Sequence, residues 1–366
     1  MRKIPEKAVL EQIEELQNPP KRKRGRPKGS RNKPGVDKAA HSLIDPKTGI
    51  VKKCSDPAHP TYTQVFSRWV CDMAEADEKL YAITPAMREG SGLVEFEKRF
   101  PERYRDVAIA EQHAVTFAAG LAANGLRPVV AIYSSFAQRA YDQILHDVAI
   151  QNLPVTFAID RGGLVGADGE THHGVFDLAF LRSIPNMTVM APSNENECRR
   201  MLTTAYRLGS PAAVRYPRGK GPGVEQDGEL LEVSVGKARV VRESTSTGKR
   251  VAILGFGLMV ERLRSVADDL HATLVDMRFV KPIDEAMIEE VAKSHDLIVT
   301  AEDGVVMGGA GTAVLEVMAK KGLMTPALVL GIEDHFVDQG TTEELFEDCG
   351  LGLERIKARI LERLGD

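Results

Sequence analysis

Arg105-Asp-Val-Ala-Ile-Ala-Glu-Gln-His-Ala-Val-Thr-Phe-Ala-Ala-Gly-Leu121 reads as a strand that turns directly into a helix. Val107 to Ile109 are apolar without alternation, the pattern of a parallel strand covered on both faces. From Ala114 to Leu121 the residues are small and apolar, which predicts a deeply packed helix over 111–124. Glu111 stands at the junction. A carboxylate buried there is costly without a specific partner, and taken alone such a glutamate is most often capped and ion-paired.

The same alternation extends in both directions. The text predicts a helix over 63–76, strands near 80–84, 105–109, 128–133 and 155–160, and a helix over 136–150. A helix over 195–206 and a strand over 212–215 follow. Strands alternating with helices of this length form a parallel sheet with helices on both faces. After a Gly- and charge-rich stretch, further strands are expected near 251–255, 272–276, 297–301 and 327–331, and then terminal helices. The fold class is α/β, with two consecutive parallel-sheet α/β domains. The divisions are a short amphipathic helix over 1–17 (Val9, Leu10, Ile13 and Leu16 on one face), a basic linker over 18–60, a first domain over 61–218, a linker over 219–248 and a second domain over 249–366.

The 366 residues suffice for two ordinary cores, and 43% hydrophobic with 27% charged residues is a globular composition. No apolar run approaches membrane-spanning length, and the first residues lack a signal-peptide core, so a cytoplasmic protein without membrane partners is expected. Cys54, Cys71, Cys198 and Cys349 have no metal-type or Cys-x-x-Cys spacing and read as reduced structural thiols. Lys21, Arg22, Lys23, Arg24, Arg26, Lys28, Arg31 and Lys33 concentrate positive charge in one short arm. The net charge of −4 therefore leaves −12 on the rest of the chain.

Four segments carry chemistry: Arg105 to Ala114; Ala131-Ile-Tyr-Ser-Ser-Phe-Ala-Gln-Arg-Ala-Tyr-Asp-Gln143; Asp160-Arg-Gly-Gly-Leu-Val-Gly-Ala-Asp-Gly-Glu-Thr-His-His-Gly174; and Arg215-Tyr-Pro-Arg-Gly219. Together they closely resemble the 1-deoxy-D-xylulose-5-phosphate synthases, thiamine-diphosphate enzymes of the transketolase superfamily, from about Tyr62 to the C-terminus. The resemblance covers the pyrimidine-binding and C-terminal domains of that family. The diphosphate-binding domain, marked by a Gly-Asp-Gly segment and a downstream Asn, has no counterpart in this text. A half-enzyme or subunit is implied, in which Mg2+ would be bound mainly by that other domain.

What the resemblance implies is specific. Glu111 would be the carboxylate that holds a proton at the aminopyrimidine ring of thiamine diphosphate, and Phe136 would stack on that ring. A core phenylalanine has the same appearance in sequence. Asp168 and His172, in a Gly-rich loop after a buried strand, would face the substrate and move protons. His173 is set aside, because the family often has Gln there. Adjacent histidines rarely face one ion, and no protein metal site is expected. Tyr133, Arg139, Arg161 and Arg218 would hold the phosphate of glyceraldehyde 3-phosphate, for which guanidinium forks are suited. Pyruvate is the implied co-substrate, a homodimer or a chain supplying the diphosphate domain the implied partner, and isoprenoid and thiamine biosynthesis the implied setting.

The arm is a separate signal. Arg24-Gly25-Arg26-Pro27 resembles the core of an AT-hook, in which Gly lets the backbone sink into a narrow minor groove and Pro keeps it extended. A solvated tail that binds any polyanion by counterion release has the same charge. A catalytically incomplete homologue acting through DNA is thus the alternative to the enzyme subunit.

Overall fold

β1 (Leu80–Thr84), β3 (Arg127–Tyr133), β4 (Thr156–Gly162) and β6 (Ala212–Pro217) are almost wholly buried, as their unalternating apolar text requires. The computed structural model describes residues 59–365. With β2 (Tyr104–Asp106), β5 (Thr188–Met190) and β10 (Phe279–Lys281), these strands form a seven-stranded sheet ordered β10-β5-β6-β4-β3-β1-β2. All its neighbours are parallel except β10 on β5. A second sheet has the order β12-β11-β8-β9-β7, from β7 (Arg239–Arg242), β8 (Val251–Gly255), β9 (Thr273–Asp276), β11 (Leu297–Val305) and β12 (Ala327–Ile332). Only its edge strand β7 runs antiparallel.

Helices cover both sheets. α1 (Tyr62–Ala76) starts in a capping box in which Thr61 and Gln64 satisfy each other's backbone N–H groups, and it buries Phe66, Trp69 and Met73. α2 (Glu111–Ala123) packs Ala114, Val115, Ala118 and Ala122 inward. The terminal helices, Thr342–Asp348 and Leu353–Leu364, lie where the sequence places them. One apolar cluster runs from Ala114 and Val130 through Leu178 and Ile184 to Leu254 and Val314. The two sheets therefore share a core.

Four expectations are corrected. The strand before Glu111 is an edge strand and ends at Asp106; Ile109 is 81% exposed. The cause is local: the Asp106 carboxylate accepts the N–H groups of Ala86 and Ala108, and Ala108 adopts φ 58°, which turns the chain out of the sheet. α2 buries only one face, leaving Gln112, His113, Thr116 and Gly120 exposed.

The long helix expected over 136–150 is a succession of short turns: Ser134–Ala137, a 3-10 turn Gln138–Ala140, Tyr141–Gln143 and a π turn Ile144–Ala149. Such irregular turns let one segment serve two surfaces; here Ile144 and Val148 point into the core while Gln138 and Arg139 are exposed. Finally, the stretch 219–248 contains β7 and is held down by side chains. Glu195 accepts from Gly223 and Val224, and Arg200 pairs with Asp227. The helix expected over 1–17, the Arg24–Pro27 element and Cys54 lie outside the described residues.

Candidate active site

The end of β3 and the start of α2 bring a carboxylate and an aromatic ring together. Glu111 is the first residue of α2 and is 3% exposed. Its position suits the positive end of the helix axis, whose N-cap, Ala110, offers no side chain. The Arg139 guanidinium donates to Glu111 Oε1 at 2.9 Å and lies 5.4 Å from the centroid of the Phe136 ring. Arg139 thus bridges the two groups. Phe136 is half-buried and stacks on Tyr133, with centroids 5.5 Å apart and planes at 21°.

The Gly-rich loop closes over the same ring. His172 meets Phe136 edge-on at 5.6 Å, and its Nδ1 lies 2.8 Å from the Thr171 hydroxyl. Gly163 and Gly174 pin the neck of the loop by exchanging N–H to C=O hydrogen bonds of 2.7 and 2.8 Å. Glycine is required at 174, because a Cβ there would sit 2.2 Å from the Arg161 carbonyl oxygen and 2.5 Å from Ser134 Cβ. A Cβ at Gly169 would come to 3.2 Å from Gln339 Cβ.

His173, set aside in the sequence, has a structural task. Its buried Nδ1 accepts the Val165 N–H at 3.1 Å, so the ring proton must sit on Nε2, which donates to the Asp338 carbonyl at 3.1 Å. The two adjacent histidines therefore serve different surroundings. Among the described residues, no group of three or more His, Cys, Asp or Glu is disposed to hold a metal.

The basic residues divide into two groups. Arg161 lies 4.1 Å above the Tyr133 ring and donates to its hydroxyl at 2.6 Å. Burial raises the Tyr133 hydroxyl above its ordinary range, and Arg161 opposes that rise. Arg218 donates to the Val165 carbonyl at 2.8 Å and to Asp168 Oδ2 at 3.0 Å, and both side chains of that ion pair are more than two-fifths exposed. Arg139, expected with these two on a phosphate, donates to Glu111 in this structure.

Beneath them Asp160 is wholly buried; it accepts from the Thr63 hydroxyl at 2.7 Å and from the Arg161 N–H. Burial pushes its carboxyl up to about 6 against the pull of Thr63 and Arg161.

The sequence reading missed Ser134, Asp177 and Arg215. A signal was present: Asp177 and Arg215 are charges inside otherwise apolar runs, Val175-Phe-Asp-Leu178 and Ala212-Ala-Val-Arg-Tyr216.

Two buried carboxylates, Glu111 and Asp160, a half-buried aromatic face and the exposed guanidiniums of Arg139 and Arg218 suit a planar, protonatable heterocycle together with an anionic substrate. Comparisons with known proteins agree in kind. Residues 58–223 match the family model described as transketolase, pyrimidine binding domain, and residues 236–356 the transketolase C-terminal domain. The chain is 60% identical over 321 residues to the 1-deoxy-D-xylulose-5-phosphate synthase of Ralstonia pickettii, which covers 87% of this chain and 50% of that protein. Identity to the enzyme of the same name from Thioalkalivibrio sulfidiphilus is 58% over 323 residues, with 88% and 50% covered. The chain spans about half the length of the curated relatives it matches. Among solved structures, a split gene transketolase described as an inactive β4 tetramer superposes with TM-score 0.72 at 28% identity, over 83% of this chain and 98% of that one. Transketolase from Campylobacter jejuni shares the fold, with TM-score 0.69 at 17% identity, over 97% of this chain and 51% of that one.

Proposed function

The chain belongs to the transketolase family, with the pyrimidine-binding and C-terminal domains in order, and from that premise we propose that it is the pyrimidine-side half of a thiamine-diphosphate-dependent 1-deoxy-D-xylulose-5-phosphate synthase. The observation that carries this reading is Glu111: a carboxylate buried at a helix start, bridged by Arg139 to the half-buried face of Phe136. This pairing fits the aminopyrimidine of thiamine diphosphate. The identities near 60% point to the synthase branch.

Thiamine diphosphate, when bound, supplies the carbon nucleophile and electron sink for decarboxylation. The chain's own residues do the rest. Glu111 holds a proton at a ring nitrogen, and Arg139 keeps the carboxylate aligned. Phe136 orients the ring and shields one face from water. His172 and Asp168, on the loop above, give and take protons at the substrate. Arg161 and Arg218, with Tyr133, take the phosphate of glyceraldehyde 3-phosphate, whose union with pyruvate releases carbon dioxide and gives 1-deoxy-D-xylulose 5-phosphate.

A chain with the diphosphate domain, and with it the Mg2+ site, completes the site, and a second copy completes a dimer. The exposed Ile109, Met307 (72%) and Phe336 (76%) offer apolar surface for such partners. The inactive β4 assembly of the split gene transketolase supports the view that a two-domain chain of this kind needs its other half. No described helix is long and apolar enough to cross a membrane.

The test is reconstitution. Purified chain alone should form little product from pyruvate and glyceraldehyde 3-phosphate; adding a chain that bears the diphosphate domain should restore synthesis. Robust turnover without any partner, or none with it, overturns the reading. Sedimentation of the chain as a monomer at micromolar concentration would remove the homodimer.

A second reading rests on the intact Arg24-Gly25-Arg26-Pro27 element: A·T-rich DNA as a partner of the arm. It requires a higher affinity for A·T-rich than for G·C-rich duplexes at one ionic strength, lost in Arg26→Ala. A ratio near one leaves a general polyanion-binding tail.

A further inference from the structure

Behind the site, touching none of the groups that would meet a ligand, lies a triad of buried charges. Arg215 Nε donates to the Asp177 carboxylate at 3.0 Å, and its Nη1 to Asp303 Oδ1 at 2.5 Å. All three side chains are at most 1% exposed. Asp303 belongs to β11 of the second sheet, Arg215 to β6 of the first, and Asp177 opens the helix Asp177–Arg182.

From this triad two hydrogen bonds lead to the walls of the site. Asp177 Oδ2 accepts the Ser134 hydroxyl at 2.8 Å. Ser134 begins the turns that carry Phe136 and Arg139. Arg215 Nη2 donates to the Gly174 carbonyl at 3.3 Å, and Gly174 is half of the neck that closes the loop bearing Asp168 and His172. Three glycines make room for this arrangement. A Cβ at Gly162 would lie 2.3 Å from Arg215 Nε, one at Gly163 1.9 Å from Asp303 Oδ2, and one at Gly174 2.5 Å from Ser134 Oγ.

We infer that Arg215 is a positioning residue: one buried guanidinium, anchored on Asp303 of the second sheet, sets both walls of the candidate site, the Ser134–Gln143 turns through Asp177 and Ser134, and the 164–173 loop through the Gly174 carbonyl. Stability is a poor explanation for such a triad, because buried ion clusters are often replaced by apolar residues of similar volume at no loss. Directionality explains it better. A guanidinium donates in fixed directions from one plane, so three acceptors on three elements are held at one mutual geometry. The C-terminal domain thereby acts on the site from a distance.

The inference rests on the proposed function only in taking the two walls to flank one site, and its test needs neither cofactor nor partner. Two variants of the full chain are compared with the parent: Ser134→Ala, which removes one link, and the triple variant Arg215→Met with Asp177→Asn and Asp303→Asn, which removes the charges together. Amide hydrogen exchange is read over 134–143 and 164–174. The carbon-bound imidazole protons of His172, assigned by their loss in His172→Asn, report the Phe136 ring that abuts them. With Ser134→Ala, the protein should still unfold in one cooperative step, exchange over 134–143 should rise roughly tenfold more than exchange in the core strands, and the His172 signals should shift. With the folded triple variant both segments should exchange faster. A folded Ser134→Ala protein with parental exchange and parental His172 signals overturns the inference, whether or not the triple variant folds. Faster exchange confined to β11 would reduce Arg215 to a bond between domains and likewise overturn it.

Discussion

Arg215 and Arg218 stand three residues apart on the same strand end, yet they belong to two different kinds of region. Arg215 is sealed in the core between two sheets, with carboxylates on two sides and a carbonyl on a third. Arg218 reaches an exposed Asp168 and one carbonyl, with 42% of its side chain open. In the first region every direction of the guanidinium is prescribed by protein. In the second, donors face outward where a ligand can take them. The difference teaches that a guanidinium enclosed by protein acceptors sets geometry, while one open to solvent can still meet a ligand.

The largest effect should come from the candidate active site that Arg218 borders, at its buried carboxylate. In a reconstituted synthase, Glu111→Ala should lower kcat by about 10²–10⁴-fold with an unchanged circular dichroism spectrum. Activity within a few-fold of the parent would remove Glu111 from the mechanism and break the comparison at its catalytic end. Next is the sealed region. Arg215→Ala should cost about 3–5 kcal/mol of unfolding free energy, because Asp177 and Asp303 are then left buried and unpaired. Urea denaturation measures it directly, and a loss below about 1 kcal/mol would mean that water reaches the triad.

Arg218→Ala should leave stability within about 1 kcal/mol, its pair being exposed. It should weaken use of glyceraldehyde 3-phosphate by about 1.5–3 kcal/mol, the worth of a charge-assisted hydrogen bond, and spare pyruvate decarboxylation. Equal losses in both half-reactions would place Arg218 with Arg215.

The smallest effect is expected at Asp160, which sits between the two regions. Its carboxyl is raised to about 6 by burial, above the usual value near 3.9 in an unfolded chain. The folded protein therefore binds this proton more readily, and the contribution to stability is present at low pH and lost as pH rises through about 6. Asp160→Asn, which stays neutral, should gain roughly 2 kcal/mol relative to the parent between pH 4 and pH 8. Denaturation at the two pH values checks this; an equal difference at both would show that Asp160 is ionised throughout.

Much of this was legible beforehand. Apolar runs without alternation announce buried parallel strands wherever they are read, and the strands over 80–84, 128–133 and 251–255 lie where the text puts them. Glu111, Phe136 and His172 were singled out by their motifs, and in the structure Arg139 joins Glu111 to the Phe136 ring, which His172 meets edge-on.

Elsewhere the text misled. The exposure of Ile109 was hidden, because an apolar run does not reveal that Asp106 and the positive φ of Ala108 turn the chain out of the sheet. β10 was hidden as well: three residues of the second half pair with β5 of the first, a contact that no local pattern encodes. The broken turns after Ser134 follow from tertiary partners, Asp177 on Ser134 and Glu111 on Arg139, which override the helical periodicity of the segment.

The sequence by itself determined the alternation of strands and helices and which functional groups the motifs carry, because burial period and functional-group type are properties of neighbouring residues. Only the tertiary structure decided which of two arginines in Arg215-Tyr-Pro-Arg218 is sealed and which is exposed. That outcome depends on Asp177 and Asp303 arriving from 38 and 88 residues away, and the cost of burying a charge is met only where such partners converge.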